Sequence, residues 1–268
     1  MQSVPKFSIA ILIFVFLFSF LGSFIYGVSA YDLDKTAILL PPSFEHFLGT
    51  DRLGRDILAR LIEGGQVSIL IGVGSAFIAS FIGLIYGASA GYFRGTFDKS
   101  FVVIVDLFLT FPTFFLLLAM VSYISASIMV LIFIISITAW MTTARLIRSE
   151  SFAISSKPYI KILKIAKVSD VKIILKYFAP LLAPIFFVSF TFGVGGAILA
   201  ESGLSFLGLG ITAPQMSWGS ILSDGKEVID IAWWVSFFPG LMIFLITFSL
   251  INISSYLQTL SNKKQIQN

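Results

Sequence analysis

The stretch LFLTFPTFFLLLAMVSYISASIMVLIFIISITAWMTTA, residues 107–144, decides the fold. It contains no Asp, Glu, Lys or Arg, and it is nearly twice as long as the about 20 apolar residues that one helix needs to cross a bilayer. The polar sequence SYISAS, residues 122–127, offers a turn in its middle. We therefore predict two spans, residues 100–120 and 128–147, with a kink at Pro112, where a backbone hydrogen bond is lost.

The composition also indicates a membrane protein. Hydrophobic side chains make up 57% of the 268 residues and charged ones 12%, and the mean hydropathy of +0.97 lies outside the range of soluble domains. The chain has no Cys, which excludes disulfides and thiolate metal sites. Further apolar runs at residues 7–28, 64–93, 177–200 and 234–256 predict an all-α membrane protein with about six transmembrane helices.

The basic residues set the predicted orientation. A net charge of +4 would suit a nucleic-acid partner, but the Lys and Arg residues lie in loops between apolar spans, so membrane topology explains them better. Six alternating spans place most of the 18 basic residues on one side, including Arg94, Lys99 and the lysines of residues 149–177. That side and both termini are then cytoplasmic. Residues 28–30, Val-Ser-Ala, resemble a signal cleavage site, so retention of the first helix stays open.

Motifs for catalysis are missing from the sequence. His46 is the only histidine and lies in the predicted external loop, which argues against a Ser/His/Asp triad. No Gly-rich phosphate-binding loop with Lys and Ser or Thr is found, so we predict no catalytic, cofactor or metal residues in this chain. Asp106 and Glu201 are the only candidate acids within the spans, which weakens the case for a proton-coupled carrier.

A lysine-rich segment follows the predicted fourth span. Residues 158–180, PYIKILKIAKVSDVKIILKYFAP, have the pattern of two short amphipathic helices joined near residues 167–169, with Ser169 placed to cap the second. The first helix has lysines on one side and apolar residues on the other: Lys157, Lys161 and Lys164 against Ile160, Ile162, Leu163 and Ala166. Either an anionic lipid surface or the groove of a cytoplasmic partner would cover the apolar side, and the residues alone leave both open.

Four stretches in order carry a family resemblance. They are HFLGTDRLGRDILARLIEGGQVSILIG at residues 46–72, GYFRGTFDK with VDLFLTFP at residues 91–112, Trp140 with Ala144, Arg145 and Arg148, and AILAESGLSFLGLG at residues 197–210 followed by Ser217, Trp218 and Gly219. With these motifs the chain resembles a permease subunit of the dipeptide, oligopeptide and nickel branch of ATP-binding cassette (ABC) importers.

The resemblance implies roles for several residues. In this family a Glu-Ala-Ala motif followed by Gly forms the coupling helix that docks on the ATPase, and here those positions hold Lys161, Ile162, Leu163 and Lys167. The implied coupling residues are Tyr159, Lys161, Ile162, Leu163, Ile165, Ala166, Lys167, Ser169 and Asp170. Two arginines, Arg145 and Arg148, are implied to position this loop. Candidates for the pore or gate are Asp106, Pro112, Gly193, Gly196 and Glu201.

The resemblance also implies an assembly. We expect a type I importer permease fold in the bacterial cytoplasmic membrane, with an N-terminal helix and external loop at residues 1–65 and a five-helix core at residues 66–268 that contains the coupling loop, residues 149–177. The expected partners are a second, homologous permease, two cytoplasmic ATPases that bind ATP–Mg, an extracytoplasmic solute-binding protein and membrane lipid, but no nucleic acid. The solute is expected to be a di- or oligopeptide, with a nickel chelate as the alternative and a stand-alone carrier or channel as the rival class.

Overall fold

The structure is a computed structural model that describes residues 4–267. These residues form helices and contain no β-strand, only an isolated bridge between Thr50 and Asp56, so the predicted all-α class is confirmed. The helices are α1 (Lys6–Ile25), α2 (Ile57–Phe93), α3 (Gly95–Leu109), α4 (Thr113–Val121), α5 (Ile128–Ser155), α6 (Pro158–Ile165), α7 (Asp170–Ile173), α8 (Ala179–Phe206), α9 (Trp218–Lys226) and α10 (Trp234–Gln267). The extreme ends of the chain, residues 1–3 and 268, lie outside this description, and the side of the membrane on which the termini lie stays a prediction.

Within the described residues, five helical segments are long and apolar enough to cross a membrane. They are α1, α2, α5, the continuous segment Asp170–Phe206 that joins α7 to α8, and Trp234–Asn262 of α10. Helices α3 and α4 meet the same criteria only as a pair. The structure therefore has five candidate spans, or six if the pair is one span, in agreement with the predicted number.

The predicted third span is not one kinked helix but two helices bent by 77°. The chain leaves the helical conformation between Leu109 and Thr113, and Pro112 takes the position before the first residue of α4 with an extended ψ of 120°. Proline has no N–H to continue the helical ladder and disfavours a helical residue before it, which explains a complete break at this point.

The bent pair nevertheless connects the two ends of α5. Asp98, in the first turn of α3, forms an ion pair with Arg148 in the second half of α5. At the other end, Val121 of α4 packs in one apolar cluster with Leu131, in the first turn of α5. Since α5 is itself a candidate span, this placement is that of one broken crossing.

Helices α2, α5 and α8 form the centre of the bundle, and small residues of α2 permit close contact with α5. A Cβ at Gly83 would lie 2.8 Å from Thr143 Cβ, and one at Gly87 would lie 2.5 Å from the Ala144 carbonyl oxygen. A Cβ at Gly91 would meet Ser151 in the same way. Helix pairs in membranes gain van der Waals contact by such close approach.

Helix α2 begins at Ile57, well before the predicted start at residue 64. The predicted boundary between the N-terminal part, residues 1–65, and the core, residues 66–268, therefore falls inside this 37-residue helix. The two parts also share one apolar core, in which Val15 of α1 packs with Ile57 and Ile246. Sequence reasoning ended the loop too late because Arg60 and Glu63 resemble loop residues. Arg60 is instead buried and paired with carboxylates from two other segments.

Candidate functional site

Helix α6 lies against the bundle at the end of α5, with only Ser156 and Lys157 between the two helices. Lys157 precedes the helix and Pro158 opens it, the position where a missing N–H costs nothing. Ile160 is fully buried in a cluster with Ile154 of α5 and Ile173 of α7. This burial fixes which face of α6 contacts the rest of the protein.

The opposite face of α6 is exposed and partly apolar. Ile162 is 63% exposed and Ile165 is 81% exposed, while Tyr159 is also exposed. The predicted division of faces is therefore wrong for Ile162 and Ala166, both of which lie outside the packed side. Ile160 and Leu163, three residues apart, lie on the side of α6 that packs against the bundle. Lys164 lies beside them, over the ring of Tyr92.

Lys167 adopts a left-handed conformation, with φ of 56°. The N–H of Lys167 donates to the Lys164 carbonyl at 3.1 Å, and the N–H of Val168 donates to the Leu163 carbonyl at 3.1 Å. These two bonds are those of a Schellman helix end, which usually has Gly at the left-handed residue. The chain thus forms this helix end with Lys167 at the motif position that Gly usually holds in the family.

The second predicted amphipathic helix is not a separate helix. Residues of α7 continue through a π-helical turn, Ile174–Phe178, into α8, so that one 37-residue helical segment runs from Asp170 to Phe206. The π turn lies directly before Pro180, which lacks the N–H for a regular helical bond. Ser169 stands at the start of this segment, but its hydroxyl makes no capping bond, contrary to prediction.

Tyr92, at the end of α2, contacts both α6 and the start of the helical segment Asp170–Phe206. Its hydroxyl donates a hydrogen bond to the Asp170 carboxylate, and Lys164 Nζ lies 3.9 Å from the centre of its ring. The ring also meets that of Phe178 edge to face, with centroids 5.2 Å apart. Sequence reasoning missed Tyr92, although its place at the end of a span beside a matched loop was an available signal.

The arginines expected to position the loop form ion pairs with α3, and the Arg148 guanidinium also lies 4.8 Å from the centre of the Phe152 ring in the predicted loop. Arg148 Nη2 lies 2.7 Å from the Asp98 carboxylate, and Arg145 Nη2 lies 2.5 Å from Asp106. Their ion pairs therefore hold α3 along the second half of α5. Arg94 approaches the loop more closely, because it donates to the Phe152 carbonyl at 3.1 Å and to the Ser156 hydroxyl at 2.8 Å.

A cavity of about 460 Å³ lies between α4, α5, α8 and α10. Small, apolar and hydroxyl-bearing side chains line it, and the described lining residues include no Asp, Glu, Lys or Arg. Polar groups come from Thr113, Thr138, Thr142, Thr143, Ser189, Ser254, Ser255 and Gln258.

Only some of the predicted pore residues line the cavity. Gly193 and Gly196 line the cavity. A Cβ at Gly196 would meet no atom within 4 Å, whereas one at Gly193 would lie 3.3 Å from Ala76 Cβ, so only Gly193 also serves close packing. Asp106 and Pro112 belong to the bent pair and do not line this cavity.

Glu201 is fully buried and faces serine hydroxyls, not the cavity. The hydroxyls of Ser205 and Ser217 donate to its Oε1 at 2.7 and 2.6 Å, and those of Ser68 and Ser202 lie 3.5 Å from Oε2. Ser217 also caps α9 through its bond from the Ser220 N–H. Glu201 thus fixes α9 to α8.

A buried ion-pair network joins the first loop to α9. Asp51 is fully buried and accepts from Arg55 Nε at 2.7 Å and from Arg60. The same two arginines reach Asp224 of α9 at 3.3 and 3.0 Å. Arg52 also lies 3.8 Å from Asp224 and pairs with Glu227, so three acids and three arginines balance in charge, as ionic groups withdrawn from water require.

A second set of polar contacts fixes the start of α2. Asp56 caps this helix by accepting from the Ala59 N–H at 2.9 Å, and it also accepts from the Tyr26 hydroxyl at 3.0 Å. Burial, the charge of Asp56 and this hydrogen bond raise the pKa of Tyr26 to about 12. His46 Nδ1 lies 2.9 Å from the same carboxylate, which gives the lone histidine a place in the fold of the loop.

Known proteins are similar to this chain in sequence and in fold. Residues 79–267 match the family described as binding-protein-dependent transport system inner membrane component. The oligopeptide transport system permease protein OppC of Haemophilus influenzae is 34% identical over 243 residues, which cover 90% of this chain and 78% of that protein. The dipeptide transport system permease protein DppC of Bacillus subtilis is 35% identical over 236 residues, 88% of this chain and 74% of that protein.

A third relative and one solved structure agree with these matches. OppC of Mycobacterium bovis is 38% identical over 217 residues, which cover 80% of this chain and 75% of that protein. A chain of the MetNI methionine ABC transporter, solved in inward-facing conformations, superposes with a TM-score of 0.57 over 74% of this chain and 95% of that chain, at 17% identity. The predicted permease fold of an ABC importer is thereby confirmed.

Proposed function

The chain belongs to the family of binding-protein-dependent transport system inner membrane components, and we propose that it forms one half of a pore that imports di- or oligopeptides. It is a multi-pass protein of the bacterial inner membrane. The observation that carries the substrate class is its similarity, over most of its length, to permeases named for oligopeptide and dipeptide transport.

The proposed assembly assigns the chemistry to other subunits. ATP–Mg binds to two cytoplasmic ATPases, a homologous permease completes the pore, and an extracytoplasmic binding protein delivers the peptide. This chain carries no catalytic group in the proposal; its residues dock the ATPase, transmit its motion and line the path. The cytoplasmic placement of α6 follows from the positive-inside rule applied to the surrounding lysines.

Helix α6 has the contacts of a lever. It is joined to α5 through Ser156 and Lys157, and to α8 through the Schellman turn at Lys167 and an uninterrupted helical segment. Lys164 and Asp170 both contact Tyr92 of α2. A displacement of α6 by the ATPase would thus reach three membrane helices at once, which supports rigid rocking between two packings.

The cavity has the chemistry of a path rather than of a tight binding site. A peptide carries charges at both ends and amide groups between them, and a tight site would pair those charges with fixed ones. The lining offers Ser, Thr and Gln side chains, with Gly196 open towards the cavity. Such a surface replaces some water contacts without trapping a charged terminus, so specificity falls to the binding protein.

The test is ATP hydrolysis by the complete transporter in proteoliposomes. We expect binding protein loaded with a peptide to stimulate hydrolysis and to drive peptide uptake, while the same protein given nickel chelates does neither. Stimulation and uptake with the nickel chelates alone would overturn the peptide assignment. Uptake by the purified chain without any ATPase would overturn the importer assignment as a whole.

A further inference from the structure

The exposed face of α6 combines apolar and positively charged side chains. Lys161 and Ile165 are one helical turn apart and both point away from the packed side, with Ile162 beside them. Lys164 differs from the other lysines of α6, because its ammonium group makes a cation–π contact with the Tyr92 ring. The free face is thus an apolar pair of isoleucines beside the lysine at position 161.

This face has no acidic partner in the described part of the chain. Residues 157–168 contain four lysines and no Asp or Glu, and no ion pair joins these lysines to a carboxylate among the described residues. The next acid, Asp170, accepts a hydrogen bond from Tyr92. The charge of this segment is therefore available to a partner.

The direction of the face favours a protein partner over the bilayer. A helix that lies on a membrane turns its apolar side to the lipid. The packed side of α6, with Ile160, faces residues at the ends of α2, α5 and the long helical segment. Ile162 and Ile165 are on the side away from these membrane helices, where the remaining environment is the cytoplasm.

We propose that α6 selects an ATPase subunit whose docking groove has an apolar floor and an acidic rim. The two isoleucines fill the floor, and carboxylates of the rim pair with Lys161 and its neighbouring lysines. This inference rests on the proposed function, since it names the surface of the ATPase that the importer requires. Rim charges govern association and its salt dependence more than the final affinity, so salt is the appropriate variable.

The experiment measures how much ATPase remains bound to the tagged chain, purified as the complete transporter, as NaCl increases. Wild type should lose ATPase progressively from about 0.05 to 0.5 M NaCl, the range in which exposed charges become screened. Lys161→Glu should retain about fivefold less ATPase at low salt and should lose most of the salt dependence, because an exposed charge reversal is worth about 1 kcal/mol. Lys161→Arg should behave as wild type and Lys161→Gln should be intermediate.

Matched variants separate charge from folding. Lys99→Glu makes the same charge change at an exposed residue of α3 and should leave retention unchanged. Ile165→Ser should lower retention at every salt concentration while the salt dependence persists. The substitution at residue 161 should not unfold α6, because a Glu in the first half of a helix is favourable to the helix dipole.

The outcomes are distinguishable. Equal retention and equal salt dependence for wild type and Lys161→Glu would overturn the acidic rim and leave the importer function intact. If Lys161→Glu left the retention of ATPase unchanged but weakened binding of the purified chain to vesicles containing anionic lipid, the acidic rim would be overturned in favour of a lipid contact. A wild-type chain that holds no ATPase at any salt concentration would refute the proposed function itself.

Discussion

The ammonium nitrogen of Lys164 lies 3.9 Å from the centre of the Tyr92 ring and 3.5 Å from the Tyr92 carbonyl oxygen. One lysine of α6 therefore makes a cation–π contact and a hydrogen bond with the last turn of α2. The hydroxyl of the same tyrosine holds Asp170 at the start of the long helical segment. Tyr92 thus connects α6 to two membrane helices.

Removal of this connection should separate ATP consumption from transport. We expect Tyr92→Ala to lower the number of peptides taken up per ATP hydrolysed by about three- to tenfold, because coupling networks of this kind are worth about 0.5–2 kcal/mol. Tyr92→Phe keeps the ring but loses the bond to Asp170 and should have a smaller effect. The measurement is uptake and hydrolysis in the same proteoliposomes, and an unchanged ratio for Tyr92→Ala would contradict the role given to this residue.

Lys167→Gly should stabilise the turn after α6. A left-handed conformation costs a residue with a side chain about 1–2 kcal/mol, and Gly adopts it freely. We expect the amide of Val168, which bonds to the Leu163 carbonyl, to exchange hydrogen at least fivefold more slowly in the variant. Lys167→Ala also removes the charge but keeps the strain, so equal protection in the Ala and Gly variants would show that charge, not φ, is responsible.

Glu201→Ala should destabilise the protein through unpaired hydroxyl groups. Ser205 and Ser217 would lose their common acceptor, and a buried polar group without a partner costs about 1–3 kcal/mol. We expect a clear fall in the thermal unfolding temperature, with Glu201→Gln between this variant and wild type because its carbonyl still accepts. Glu227→Ala, at an exposed residue of the surface pair with Arg52, is the control, and a fall no larger than in that control would argue against the serine site.

Gly196→Leu should narrow the path without disturbing the fold. A side chain at this position points into open space, so it would occupy part of the 460 Å³ cavity. Uptake of long peptides should fall more than that of dipeptides, while peptide-stimulated ATP hydrolysis continues. Gly193→Leu, at a residue that also lines the cavity but meets Ala76, should in addition lower thermal stability, and equal uptake of all peptides by Gly196→Leu would exclude a path through this cavity.

The helices were predictable because a bilayer imposes long uncharged runs and an alternation of charge between loops. The contacts between helices were not. Pro112 indicates a kink, but the bend of 77° depends on where α3 and α4 pack. Arg60 resembles a loop residue until Asp224, far away in sequence, is seen beside it. Local pattern cannot supply such distant partners.

For the functional residues too, the sequence indicated which segments matter but not which residues they contact. The motif places Lys167 where the family has Gly, and because a side chain disfavours positive φ, the sequence did not predict the left-handed turn that the structure has there. The exposed side of α6 was predicted with Ile162 and Ala166 on the wrong face, since an eight-residue helix leaves several faces open to packing. Glu201 was a candidate for the pore or gate until its four serine neighbours were located.

The central claim is that α6 transmits ATP hydrolysis to the membrane helices, and one measurement tests it most directly. Binding-protein-stimulated ATP hydrolysis and peptide uptake are compared for complete transporters carrying wild type, the double variant Ile162→Asp/Ile165→Asp, and Phe44→Asp, a control at a residue that is 97% exposed in the loop between α1 and α2. The double variant should lose stimulation and uptake while it still inserts and folds, and the control should match wild type. Undiminished stimulated hydrolysis and uptake in the double variant would contradict the account.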